Sequence, residues 1–144
     1  MIGAVVIIIA IVAVFAYALM QGNERNAVEK AVNMNIEYYN TRNIDGYYDL
    51  VSQNSKDKYG VTLDDVANLL NKVQNEGRTI TLVKISEVTI QGNTAVVKGV
   101  VKINDKQGSQ EGQFLHTYVK ENGEWKYEQT MTEPSETPGA AAAQ

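Results

Sequence analysis

A chain of 144 residues with formal net charge −4, 13 scattered Lys and Arg and no cysteine has neither the basic footprint of a nucleic-acid binder nor the thiols for a disulfide, a thiolate metal site or a redox pair. An apolar leader of about twenty residues and a tail of about a dozen leave roughly 110 residues, which suits one domain. The expected division is residues 1–22 as a hydrophobic membrane or filament helix, 23–132 as an α+β domain and 133–144 as a flexible or docking tail.

Ile2 to Met20 contains no charged residue. As a helix it would be about 28 Å long, close to the thickness of a bilayer core. No Lys or Arg precedes it and no small-x-small cleavage site follows it, so it does not read as a cleavable signal peptide. Two readings stay open. In one, Met1 is the initiator and the segment is an uncleaved anchor. In the other, a basic leader has been removed and Met1 begins the mature chain.

The run MIGAVVIIIAIVAVFAYALM, flush with the N-terminus and passing directly into a polar amphipathic helix, resembles the type IV pilins and related archaeal filament subunits. Position 5 is Val5, whereas bacterial pilins carry an acid there; archaeal relatives generally lack it. The resemblance implies a helix packed against copies of itself, with Ile2, Gly3, Val6, Ala10, Ala13, Phe15 and Tyr17 as assembly positions. Small residues in such a helix let neighbouring backbones approach closely.

From Asn23 the pattern turns amphipathic, with Val28, Ala31, Val32, Asn35, Ile36 and Tyr39 at helical spacing, so one helix is expected over 2–40, with Gly22 as its candidate kink. Asn43 caps a short helix over 43–52, and the polar SQNSKDKYG stretch reads as a loop. Thr62-x-x-Asp65 is a capping-box variant that opens a helix over 62–76, and Gly77 closes it. Alternation then takes over. Strands are expected at Thr79–Ile90, bent or split near Lys84, then at Thr94–Ile103, Gln110–Val119 and Trp125–Thr130. Gly92-Asn93 and Asn122-Gly123 supply two-residue turns. In the second strand Ala95, Val97, Gly99, Val101 and Ile103 share one face, and Val96, Lys98, Val100 and Lys102 the other, so helices should cover one side only.

Helices followed by an antiparallel sheet ending in YVKENGEWKYEQ, Tyr118 to Gln129, resemble the cone-shaped NTF2-like superfamily. The resemblance implies an α+β fold of helices packed on a curved antiparallel sheet. That family has both enzymes and binding or assembly members, so the fold does not assign a function. Its catalytic members use Asp or His inside the cone, whereas this chain has one histidine, His116, between Phe114 and Tyr118, in a setting that suits packing. No paired acids, calcium loop, P-loop or zinc motif occurs. No catalytic, cofactor-binding or metal residue is therefore expected. Tyr39, Phe114, His116, Tyr118 and Trp125 are candidates to line a cone pocket for a small apolar ligand.

The resulting expectation is a non-enzymatic cell-surface or extracytoplasmic assembly protein, partnered by copies of itself and by membrane lipid, without nucleic acid or cofactor. The alternative is a membrane-anchored module that binds a small ligand or an envelope protein.

Overall fold

The computed structural model describes the backbone of residues 2–128 and the side chains of residues 20–128. Its elements are α1 (Ile2–Thr41), α2 (Ile44–Leu50), α3 (Gln53–Tyr59), α4 (Leu63–Asn75), β1 (Thr79–Gln91), β2 (Thr94–Asp105), β3 (Gly108–Glu121) and β4 (Glu124–Glu128). The assembly positions expected between Ile2 and Tyr17 lie outside the described side chains. So do residues 129–144, which include the last two residues of the expected fourth strand and the whole tail. Among the residues whose side chains are described, no helix is long and apolar enough to cross a membrane.

Local chemistry explains where the helices begin and end. α1 passes through Gly22, the candidate kink, without interruption. It ends at Arg42, which takes the left-handed φ of 55° that lets the Asn43 N–H bond back to the Tyr38 carbonyl at 2.9 Å. The Asn43 side chain then accepts from the Gly46 N–H at 2.9 Å and starts α2. At α4 the reciprocal box is complete, because the Thr62 hydroxyl accepts from the Asp65 N–H while the Asp65 carboxylate accepts from the Thr62 N–H. Gly77, with φ of 65°, turns the chain into β1.

One expectation is overturned here. The polar stretch after α2 is not a loop, because Ser52 caps it by accepting from the Ser55 N–H at 3.0 Å and left-handed Gly60 ends it, making α3. Its hydrophobic period is too short to register, and what holds it comes from elsewhere in the fold. The Glu121 carboxylate accepts from the Gln53 N–H at 2.8 Å, and Glu128 accepts from the Ser52 hydroxyl and the Asn54 side chain. The Glu121 carboxylate thus satisfies the Gln53 and Asn54 N–H groups, which the first turn of a helix cannot bond internally.

The four strands form an antiparallel meander in the order β1-β2-β3-β4, joined by three two-residue turns. Asn122 and Gly123 both have positive φ, 50° and 81°, as a type I′ turn requires. The middle turn, Lys106-Gln107, makes β2 and β3 longer than expected, and the Asp105 carboxylate stabilises it by accepting from the Gln107 N–H at 2.8 Å. β1 does bend near Lys84, through register shifts at Leu82/Lys84 and Ile85/Glu87. Such bulges curl a strand of thirteen residues around the helices.

The concave face carries the core. Val28, Ala31 and Val32 of α1 and Leu50 of α2 meet Ala95, Val97, Val101, Phe114, Tyr118, Trp125 and Tyr127. Each fully buried Val or Leu contributes about 1.5–3 kcal/mol. α4 packs on α2 and buries Val66, Leu70 and Val73. The convex face alternates exposed Lys98 and Lys102 with half-buried Val96 and Val100, as the sequence alternation predicts.

Gly99 sits where β1 comes closest, since a Cβ there would stand 2.5 Å from the Lys84 carbonyl oxygen and 2.5 Å from the Phe114 ring. Backbone on one side and a buried ring on the other leave no room to give. Gly99→Ala should therefore lower the unfolding free energy by about 1–3 kcal/mol, read as a lower urea midpoint with an unchanged slope.

Candidate functional site

The concave face of β3 presents Phe114, His116 and Tyr118 in succession, and Tyr127 of β4 joins them. His116 lies 4.9 Å from Phe114 and 5.0 Å from Tyr127, centroid to centroid, and the Tyr118 and Tyr127 rings are 5.7 Å apart. These tilted and edge-on arrangements are the favourable ones for ring quadrupoles. The Tyr118 hydroxyl is wholly buried, and the Asn35 amide on α1 donates to it at 3.5 Å. Burial pushes the phenol far above its ordinary value; the Asn35 contact opposes that rise and Tyr47 adds to it. Burial thus holds Tyr118 in its neutral form.

Of the five residues expected to line one pocket, Phe114, His116 and Tyr118 follow one another on β3, while Trp125 and Tyr39 border two depressions. Phe114 and Tyr118 are buried in the core, and His116 between them is half-buried. Trp125 faces a groove of about 310 Å³ between α1, α2 and the β3–β4 hairpin. Tyr39 borders a separate depression of about 190 Å³ beside Arg42, Val73 and Arg78.

The Trp125 groove has an apolar floor of Ala31, Met34, Leu50 and Trp125, with Lys30, Asp49, Glu124 and Lys126 on its walls. Lys126 is neutralised there, 3.1 Å from Glu124 and 3.0 Å from the Asp49 carbonyl. Among the described residues no group of three or more His, Cys, Asp or Glu is placed to hold a metal ion.

Beside this groove, Glu24 of α1 receives two donors from the hairpin. The Lys120 ammonium lies 2.5 Å from one carboxylate oxygen and the Trp125 indole N–H 3.0 Å from the other. The hydrogen bond from Lys120 lowers the Glu24 carboxyl below its ordinary value; partial desolvation opposes this, and the Trp125 bond and the Lys120 charge reinforce it. Glu24 reads in sequence as an ordinary polar-face residue, and nothing in its local pattern announces a partner 96 residues away. Asn35 did carry a signal, as an amide within an apolar helical stripe.

No family model matches the sequence, and no curated protein matches it. Solved structures do. An NTF2-like protein with a cystatin-like fold from Novosphingobium aromaticivorans is similar over 78 % of this chain and 82 % of its own, with TM-score 0.61 and 12 % identity. An NTF2-like protein of unknown function from Shewanella oneidensis is similar over 72 % of this chain and 93 % of its own, with TM-score 0.56 and 14 % identity. A proposed dehydratase of the NTF2-like family from Streptomyces avermitilis is similar over 74 % and 92 %, with TM-score 0.58 and 13 % identity.

Because the Glu24 carboxyl is depressed in the folded state, its contribution to stability is present above the ordinary carboxyl value of 4.5 and is lost as pH falls through the lower folded value. Glu24→Gln and Lys120→Met should each weaken the fold at pH 7, and the double variant should show a coupling of about 0.5–1 kcal/mol, as expected for a half-exposed pair. Urea titrations followed by Trp125 fluorescence should find that coupling at pH 7 and much reduced at pH 3.

Proposed function

On the NTF2-like fold, with its helices packed on a curved antiparallel sheet, we propose that this chain is a non-enzymatic cell-surface assembly protein. In this reading the leader, residues 2–22, is held in lipid or against the same helix of other copies, in the manner of a pilin-like filament subunit, and the domain is displayed outside the cytoplasm. The observation that carries it is that α1, Ile2–Thr41, is one element, whose later half supplies Val28, Ala31 and Val32 to the domain core. An uncharged run from Ile2 to Met20 must be kept from water, and whatever holds it also holds the domain. The Glu24 latch supports the same reading, since it ties α1 to the hairpin just after that run.

The non-enzymatic half of this reading is supported by the ring cluster. His116 packs against the Phe114 and Tyr127 rings, and Tyr118 is wholly buried with the Asn35 amide on its hydroxyl. The fold is used by enzymes as well, so the inference is drawn from these residues and not from the likeness. A second reading, a small-ligand module, is favoured by the Trp125 groove, whose volume of about 310 Å³ is at the low end for such sites.

The full chain in detergent or lipid should form multimers or filaments by sedimentation and electron microscopy. Ala13→Phe, which fills a gap between neighbouring helices, should abolish them while far-ultraviolet circular dichroism stays unchanged. A full chain that stays monomeric at high concentration would defeat the assembly reading. Turnover of a small hydroxy or carbonyl compound that disappears in His116→Ala would defeat the non-enzymatic one.

A further inference from the structure

The depression of about 190 Å³ is bordered by the last residues of α1 and α4 and by the first residue of β1. Among the described residues of its lining, the charged ones are Arg42 and Arg78, and neither Asp nor Glu joins them. Arg42 follows α1 with a φ of 55°, a left-handed conformation in which a Cβ is crowded by the following carbonyl. A glycine at that position would make the same turn without the strain. The Arg42 side chain is exposed and, among the described residues, takes part in no hydrogen bond or ion pair. No contact of that side chain within the described fold therefore offsets the strain.

Arg78 is only partly compensated. The Glu76 carboxylate lies 3.2 Å from one of its Nη atoms, while its buried Nε has no acceptor. One carboxylate thus serves a guanidinium with five N–H groups to place. Nor do the helix ends need either guanidinium. Cationic side chains can bond the last carbonyls of a helix, but here those carbonyls are already taken. The Tyr38 carbonyl accepts from the Asn43 N–H at 2.9 Å, the Val73 carbonyl from the backbone N–H of Arg78 at 3.0 Å, and the Asn75 carbonyl from the Lys106 ammonium at 2.9 Å.

We propose that this depression is a phosphate-binding site, in which the guanidiniums of Arg42 and Arg78 hold an inorganic phosphate or the phosphate group of an ester. One arginine fork is filled by the two oxygens of a carboxylate, whereas two forks bordering one depression suit a tetrahedral group with oxygens for both. The Gln74 amide and the Thr79 hydroxyl border the same depression and add neutral donors. Val73 beneath them is buried and apolar, and a local dielectric below that of water strengthens charge-assisted bonds.

The full chain in neutral detergent, titrated with sodium phosphate against sodium chloride at equal ionic strength, tests the site independently of any role of the leader. The Nε–H resonances of Arg42 and Arg78 should shift and saturate with phosphate alone. Arg42→Gly should weaken the apparent affinity, followed on Arg78, by about tenfold or more and should also raise the urea midpoint, because it removes a charged bond and the left-handed strain together. Arg78→Lys keeps the charge without the fork and should weaken binding as well, followed on the backbone amides of Gly77 and Thr79. Phosphatidic acid mixed into the micelles, set against free phosphate, separates a lipid headgroup from a dissolved ligand, and a response to either that Arg42→Gly abolishes supports the site. Shifts that do not saturate, or that chloride reproduces, overturn the proposal. So does an unchanged affinity in Arg42→Gly, and so does a lower urea midpoint in that variant, which would make Arg42 a support of the helix end.

Discussion

A meander whose first three strands are twelve to fourteen residues long makes a curved sheet whose concave face has to be covered by something apolar. The stripe Val28, Ala31, Val32 and Asn35 of α1 does most of that covering, and the other helices are arranged around it. The stripe is narrow because its residues are small, which brings α1 close enough for Asn35 to reach the Tyr118 hydroxyl across the core. At its far end Asn40 bonds to both backbone groups of Ile80, donating to the carbonyl at 2.7 Å and accepting from the N–H at 2.8 Å. The helix is thereby fastened to the first strand as well as to the third.

The β3–β4 hairpin is the second organising element, and its acids and bases link it to the helices. Lys120 and Trp125 hold Glu24 on α1; Glu121 and Glu128 hold the start of α3; Lys126 reaches Asp49 at the end of α2. None of these contacts is worth much alone in water-exposed positions. Their value lies in direction, because each constrains where a helix meets the sheet. On the concave face the Phe114, His116, Tyr118 and Tyr127 rings pack against one another in tilted and edge-on contacts.

Much of the fold was legible because its signals are local. Asn43 and Thr62-x-x-Asp65 mark helix starts through hydrogen bonds that span three residues, and Asn122-Gly123 marks a turn through the φ values those two residues tolerate. The alternation of β2 told which face is buried before any partner strand was known. α3 was not legible, because a seven-residue polar helix has no period to read and is held by carboxylates far along the chain. The Lys106-Gln107 turn was missed for a similar reason: its stabilising contact is a single Asp105 side chain rather than a positive-φ dipeptide.

By itself, then, the sequence determined the α+β order of elements, the caps, the buried face of the sheet and the presence of one uncharged N-terminal run, since each follows from spacing and backbone preference within a few residues. Only the tertiary structure decided which polar groups meet. Glu24 with Lys120, Asn35 with Tyr118 and Glu128 with Ser52 are each separated by more than seventy residues. It also set Phe114, His116 and Tyr118 beside one another on the concave face, with Trp125 and Tyr39 at two separate depressions. Periodicity shows that a side chain faces inward, but whether it lines a cavity or fills one depends on the volumes of neighbours that other strands bring, and the curvature set by the β1 bulges fixes those distances.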